Sequence, residues 1–263
     1  MKALSVDKLS FSYNKKESLL DNISFELEEG RILCILGPNG SGKTTLIHEI
    51  LYPGKKNASK IELFGEKVCD IPYSDVSKSI GYVPQQIVPV NVSVIQTVVM
   101  GRTPYKKKLF SKFSPDDYIV AYDALEQMGI KHLAEKTLEC LSGGEVQRVF
   151  IAQSIVKNAK LYVFDEPMAA LDPEYQTEFL RLIKWLSENG KTVIFTTHNP
   201  NHLFALQDAE AALIDTNHKL HRFAAVSDEL LTKTEEIYNY SMTVKFDENG
   251  RAFAVFDMKE SGI

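Results

Sequence analysis

The sequence is poor in most of the features that would take a 263-residue chain out of the ordinary globular class. Cysteine is scarce. Cys34, Cys69 and Cys140 are odd in number, far apart and in no CxxC pair, so they fit reduced cytosolic thiols better than a disulfide framework or a zinc site. Positive charge is not in excess: Lys+Arg is 30 against Asp+Glu 35, a formal net charge of −5. That balance argues against a nucleic-acid partner held by bulk charge and against a strongly basic membrane-surface binder. No apolar run approaches the ~18–20 residues that cross a bilayer. The opening Met-Lys-Ala-Leu-Ser-Val-Asp-Lys has no uninterrupted apolar stretch, so no secretory signal is expected. Internal repeats and low-complexity tracts are missing too. What is left is 44% apolar and 25% charged residues, enough for a large core in one or two domains.

Apolar and polar residues alternate through Ala3–Val6, Leu9–Tyr13 and Ile23–Leu27, which predicts short, half-buried antiparallel strands. Arg31 to Leu36 is nearly continuous in apolar residues and ends at glycine, the pattern of a strand buried on both faces. A helix is expected from Lys43 to about Tyr52, stopped by Pro53-Gly54. Two more buried strands are expected at Leu161–Phe164 and Thr192–Thr196, with an amphipathic helix Glu174–Glu188 between them. Strands alternating with helices predict a mainly parallel α/β sheet. Residues 88–157 read instead as helices at Val92–Gly101, Pro115–Gly129 and Glu145–Lys157, inserted within the sheet. Past about 220 come a helix, Ser227–Tyr238, and the runs Met242–Phe246 and Arg251–Phe256. The Asn249-Gly250 pair between those runs signals a hairpin.

Gly37-Pro38-Asn39-Gly40-Ser41-Gly42-Lys43-Thr44 fits G-x-x-x-x-G-K-[ST]. Glycines let backbone N–H groups converge on phosphate oxygens, and the loop opens onto a helix N-terminus with its positive dipole end. Lys43 then reaches the β/γ-phosphates, and the Thr44 hydroxyl serves Mg²⁺. A triphosphate site also needs a carboxylate for the metal. The apolar strand Leu161–Phe164 runs straight into Asp165 and Glu166, placing Asp165 for Mg²⁺ through water and Glu166 to polarise the attacking water. A glycine-rich turn or a pair of strand-end acids is common alone. In this order they describe a P-loop NTPase.

Leu141-Ser142-Gly143-Gly144-Glu145, followed by Gln147-Arg148 and lying just upstream of the Asp-Glu strand, narrows the class. With this segment the sequence resembles the ATP-binding-cassette (ABC) ATPases. The resemblance implies an α/β P-loop cassette with an N-terminal antiparallel β subdomain and a helical insertion. It places residues 1–220 in the cassette, with the helical subdomain at about 88–157 and a C-terminal extension at 221–263. It also implies ATP and Mg²⁺ as cofactors, with Gly37 to Thr44 and Thr45 holding the nucleotide and Tyr13 stacking on adenine. Gln85, in Gly81-Tyr82-Val83-Pro84-Gln85, matches a loop that contacts Mg²⁺. Asp172, in Ala170-Leu171-Asp172, matches a loop that communicates across a dimer, and His198 matches a switch histidine that bonds the γ-phosphate. Glu166, His198 and Gln85 are the expected catalytic set, and Ser142, Gly143, Gly144 and Glu145 the set that serves ATP on a partner subunit. The remaining histidines default to surface or packing roles. Met168-Ala169, where the family has Thr-Ser, and Glu145, where Gln is commoner, remove no catalytic group.

One cassette cannot complete its own site on this reading, so the ATP state is expected to be a homodimer. A single cassette without a membrane span resembles prokaryotic importers. It implies separate integral membrane permease subunits, an extracytoplasmic substrate-binding protein and a peripheral place on the cytoplasmic face of the membrane. Val98-Val99-Met100-Gly101-Arg102-Thr103-Pro104-Tyr105 resembles the V-x-x-G-R-x-P-[YH] stretch of cassettes serving iron–siderophore, haem, cobalamin and some molybdate importers. Lys106-Lys107-Lys108 reads as a solvated loop. The competing expectation is a soluble ABC ATPase of iron–sulfur cluster assembly. A P-loop small-molecule kinase would leave the 141–145 segment without a purpose.

Overall fold

The computed structural model describes residues 1–12, 19–106, 111–206, 208–224, 227–238, 241–246, 248 and 252–257. Its first part runs β1 (Lys2–Phe11), β2 (Leu20–Glu28), β3 (Ile32–Leu36), α1 (Lys43–Leu51), β4 (Ile61–Leu63) and β5 (Glu66–Lys67). Then come α2 (Tyr73–Ser79), β6 (Ile80–Val83), α3 (Val94–Val99), α4 (Pro115–Gln127), α5 (Gly143–Ile155) and β7 (Leu161–Phe164). The remainder is α6 (Pro173–Glu188), β8 (Thr192–Thr197), α7 (Pro200–Phe204), β9 (Glu210–Ile214) and β10 (Leu220–Phe223), closing with α8 (Asp228–Tyr238), β11 (Ser241–Phe246) and β12 (Ala252–Asp257). Two compact units emerge, Met1–Asp70 with Phe179–Ile263 and Ile71–Glu178, the division falling inside α6.

In the first unit β3 runs parallel to β8 on one side and to β9 on the other. All five of its residues are buried, which is why its sequence is apolar without alternation. β10 extends this sheet antiparallel to β9, across the expected boundary at 220. A second, antiparallel sheet has the order β2-β1-β4-β5. In β2, Ile23, Phe25 and Leu27 face inward and the residues between them face water. The alternating runs at 3–6 and 9–11 lie in one strand, β1, whose register shifts between Val6 and Leu9, where Lys8 turns to φ +50°.

The second unit holds the parallel pair β6 and β7 and a helical core of Val94, Val98, Ala121, Leu125, Val149 and Ala152. α4 starts with Pro115 behind Ser114, whose hydroxyl caps the Asp117 N–H while Asp117 reaches back to Ser114. The helix expected over 92–101 differs. It stays α only to Val99 and tightens to 3₁₀ over Met100–Tyr105, where Pro104 lacks the N–H that an α-helix needs.

β11 and β12 form the expected hairpin, from Ser241↔Asp257 to Phe246↔Ala252, its Asn249-Gly250 turn lying outside the described residues. Asn201 of α7 ties it down: Oδ1 accepts from the Ala254 N–H at 2.6 Å and Nδ2 donates to the Ala254 carbonyl at 3.3 Å. Among the described residues all three cysteines are free, and no helix is long and apolar enough to cross a membrane.

Candidate nucleotide site

β3 delivers the glycine-rich loop, and pairing of Leu36 with Thr197 means that Gly37 and His198 leave adjacent strand ends. Ligands of α/β sheets bind at such carboxyl ends. A β-carbon on Gly37 would lie 2.6 Å from Ser41 Oγ and 2.7 Å from the Ile214 carbonyl, so only glycine fits there. Gly40 and Gly42 sit at φ +81° and +104°. Lys43 is buried, and its ammonium donates to the carbonyls of Gly37 at 2.7 Å and Pro38 at 3.2 Å, which folds it over the loop. The N-cap of α1 is Gly42, which has no side chain to cap it, and the first turn has no acid. Ser41 Oγ is buried with no hydrogen-bond partner among the described residues. The N-terminus of a helix, a buried hydroxyl donor and a fixed ammonium suit a polyphosphate. Thr44 and Thr45 follow, half-buried, on the first turn of α1. Tyr13 lies outside the described residues.

In the second unit, pairing of Val83 with Phe164 sends Pro84-Gln85 and Asp165-Glu166 from adjacent strand ends. Asp165 is fully buried, its N–H donating to the Val83 carbonyl at 2.9 Å, whereas Gln85 is exposed. Glu166 is 7% exposed and holds φ +47°, a left-handed conformation that costs a residue with a β-carbon and clusters at functional sites.

Ser142 caps α5, and Gly143 and Gly144 form its first turn, two residues earlier than expected. Glu145 Oε2 accepts from the Ser142 N–H at 2.7 Å and hydroxyl at 2.8 Å, while Ser142 Oγ accepts from the Glu145 N–H. The Ser142 proton is therefore committed to a carboxylate. Hydrogen bonds from the Ser142 backbone and hydroxyl hold the Glu145 carboxyl below the usual range, against the opposing effect of burial. A β-carbon on Gly144 would stand 3.1 Å from the Ala170 carbonyl, so this helix start packs closely on the loop that leads to the exposed Asp172. Gln176 holds that loop, donating to the Leu171 carbonyl at 2.9 Å and the Met168 carbonyl at 3.2 Å.

His198 is exposed, but its neighbours are anchored. Thr197 Oγ1 and His202 Nδ1 are 2.8 Å apart in a buried hydrogen bond, and the Asn199 N–H donates to Thr197 Oγ1. His202 was expected only to fill surface or core. It braces the segment that presents His198, and its spacing four residues on, one helical turn from the strand end, was the available signal.

The family described as ABC transporter matches residues 20–169. The chain belongs to the ABC transporter family. An AAA domain (AbiEii toxin, type IV TA system) also matches the shorter stretch 139–203. The cassette is 37% identical over 220 residues to the molybdate import ATP-binding protein MolC of Haemophilus influenzae, covering 83% of this chain and 81% of that one. It is 30% identical over 204 residues to the iron(3+)-hydroxamate import ATP-binding protein FhuC of Bacillus subtilis, covering 77% and 75%. A solved metal-chelate type ABC transporter in an inward-facing conformation is similar with a TM-score of 0.81 at 32% identity, covering 98% of this chain and 97% of its own. This cassette binds ATP and is an ATPase with the α/β P-loop fold of its family.

The Gly101–Tyr105 stretch of the cassette is spent on packing. Arg102 donates to Asp117 Oδ1 at 3.1 Å and to the Val156 carbonyl at 2.9 Å, and lies 4.2 Å from the Tyr105 ring centre. Tyr105 donates to the Lys157 carbonyl at 2.6 Å.

Proposed function

We propose that this cassette powers import of a metal chelate, such as an iron–siderophore, haem or cobalamin, through separate integral membrane permease subunits supplied by an extracytoplasmic substrate-binding protein. It works at the cytoplasmic face of the membrane, peripherally, as a homodimer in the ATP state, and without nucleic acid. The observation that carries this reading is the end-to-end likeness, tail included, to a metal-chelate type transporter. The iron(3+)-hydroxamate relative supports it, and the molybdate relative sets its chemical limit, because the cassette itself handles ATP and not cargo. Residues 1–220 act as the cassette proper, with a helical subdomain at about 88–157 and the extension 221–263.

The mechanism follows from the groups present. Loop 37–44 and Thr45 hold the phosphates through backbone N–H groups, with Lys43 balancing charge on the β- and γ-phosphates and Tyr13 against the adenine. Among the described residues no three or more His, Cys, Asp or Glu come together as a ready-made metal cluster. The Thr44 hydroxyl, the buried Asp165 carboxylate and Gln85 are hard oxygen donors that suit Mg²⁺. Held by these groups, Mg²⁺ would neutralise charge on the β/γ oxygens. Glu166 accepts the proton of the attacking water, and His198 hydrogen-bonds the γ-phosphate. Ser142, Gly143, Gly144 and Glu145 of a second copy close on the same phosphate, and Asp172 links the two sites.

The deciding experiment is purification of this chain from detergent-solubilised native membranes, with its companions identified by mass spectrometry. A polytopic permease with a binding protein for a metal chelate supports the proposal. A permease whose binding protein takes an oxyanion overturns the cargo alone. Soluble iron–sulfur assembly proteins with nothing from the membrane overturn import altogether.

A further inference from the structure

The connection between β9 and β10 presses on the phosphate loop at two points. The Ile214 carbonyl abuts Gly37, and three residues of turn later His218 Nδ1 lies 3.0 Å from the Ser41 carbonyl oxygen. The turn is built to hold that ring in place. Asp215 Oδ1 accepts from the backbone N–H groups of Asn217 and Lys219, both at 2.9 Å, and Asp215 Oδ2 is 3.0 Å from His221 Nε2. The His218 N–H donates to the Asp215 carbonyl, and His218 takes φ +62°. Burial alone would raise the Asp215 carboxyl, but His221 and these two N–H groups outweigh it and hold it below the usual carboxylate range. A charged, fully bonded aspartate thus locks the turn in a backbone conformation that histidine tolerates better than most side chains.

A carbonyl oxygen can only accept, so His218 Nδ1 carries the proton in this contact, whatever the charge of the ring. The peptide joining Ser41 to Gly42 is trans and planar, so its C=O and N–H point in opposite directions. A donor that fixes the Ser41 carbonyl on one side therefore fixes the Gly42 N–H on the other. Gly42 caps α1 at φ +104°, where no β-carbon restrains the plane from flipping.

We propose that His218 is a positioning residue for ATP binding: its Nδ1–H pins the Ser41 carbonyl and so pre-aims the Gly42 N–H at the nucleotide phosphates. This rests on the reading that loop 37–44 holds those phosphates. The effect is on affinity, because the bond restricts the Ser41–Gly42 peptide to one of the loop conformations that binding would otherwise have to select among.

The test uses the full chain with ATP and magnesium chloride, in equilibrium titration and in steady-state hydrolysis. His218→Gly keeps the left-handed turn and loses the donor. His218→Asn keeps both, because the Asn side-chain nitrogen falls where Nδ1 was, whereas His218→Gln carries its nitrogen at the Nε2 place. Loss of one hydrogen bond predicts that Gly and Gln weaken ATP binding about three- to tenfold, with kcat at saturating ATP and the Asn variant both within about twofold of wild type. Wild-type affinity in the Gly variant, or rescue by Gln as good as by Asn, overturns the proposal. Lys43→Ala separates the two layers. Wild-type affinity there sinks the loop reading and the proposal with it, while weak binding by Lys43→Ala beside normal binding by His218→Gly sinks the proposal alone.

Discussion

Gly101 rests against the backbone of Gln153: a β-carbon on it would stand 2.1 Å from the Gln153 carbonyl oxygen and 2.6 Å from Val156 Cγ2. The obstacle is the backbone of α5, which cannot swing aside as a side chain can. Gly101→Ala is therefore expected to cost about 1–3 kcal/mol, a fall in Tm of roughly 2–10 °C for a chain of this size. Thermal unfolding followed by circular dichroism checks it. An unchanged Tm would mean that the 3₁₀ segment Met100–Tyr105 and α5 part more easily than their packing indicates.

Glu166→Gln keeps the shape and hydrogen-bonding reach of the side chain and removes its basicity. Hydrolysis is expected to fall by about 10²- to 10⁴-fold with ATP affinity retained. The ATP-bound dimer should then accumulate on size-exclusion chromatography. Phosphate release at the wild-type rate would take Glu166 out of the role of base.

The proposed sharing of a site between two copies predicts complementation between two inactive chains. Ser142→Arg spoils the face offered to a partner, and Lys43→Ala spoils the chain's own loop. In a 1:1 mixture the mixed dimers keep one whole site of their two, so activity should return to at most about a quarter of wild type. No recovery at any mixing ratio would speak against sharing.

The Glu145 carboxyl is held low by its bonds from Ser142, so its ionised form stabilises the native state at pH values above about 4, and that contribution is lost as pH falls through the lower, folded-state value. Gln at this position still accepts the Ser142 bonds but does not titrate. Urea unfolding from pH 7 down to about pH 3 should show wild type losing stability more steeply than Glu145→Gln in the acid range. Parallel curves would refute the assignment.

Asn201 makes both of its side-chain bonds to the backbone of one hairpin residue, Ala254, beside the apolar contact of Phe204 and Leu231. Asn201→Ala should release the hairpin without unfolding the sheet. Limited proteolysis past residue 225 is expected to quicken by roughly tenfold, the scale of one or two lost hydrogen bonds. Cleavage at the wild-type rate would mean that the hairpin is held elsewhere.

Much of this architecture was legible because its strongest elements announce themselves locally. β3 and β7 are apolar runs ending at glycine or at acids, and α4 and α5 carry Ser-x-x-Asp and Ser-x-x-Glu caps. β4, β6, β9 and β10 were not anticipated. They are short, and β9, Glu-Ala-Ala-Leu-Ile, carries two alanines where strands favour branched or aromatic residues, so its pairing with β3 decides its conformation. The motif residues proposed for the site stand out by their spacing. Of the groups that brace them, His202 beside Thr197 had a signal in its spacing, whereas Gln176 under the 168–171 loop and His218 against Ser41 act through contacts that spacing does not encode. The Gly101–Tyr105 stretch carries the resemblance to metal-chelate cassettes, and Gly101, Arg102 and Tyr105 also tie it to α4 and to the end of α5.

The left-handed backbone of Glu166 sets two kinds of fitness against each other. Glycine or asparagine would relieve about 1 kcal/mol of conformational cost at this position, and either would discard the carboxylate. Directed evolution that rewarded heat resistance alone would drift toward a hardier chain that has stopped turning over. A library screened for both should leave residue 166 untouched while its neighbours diversify.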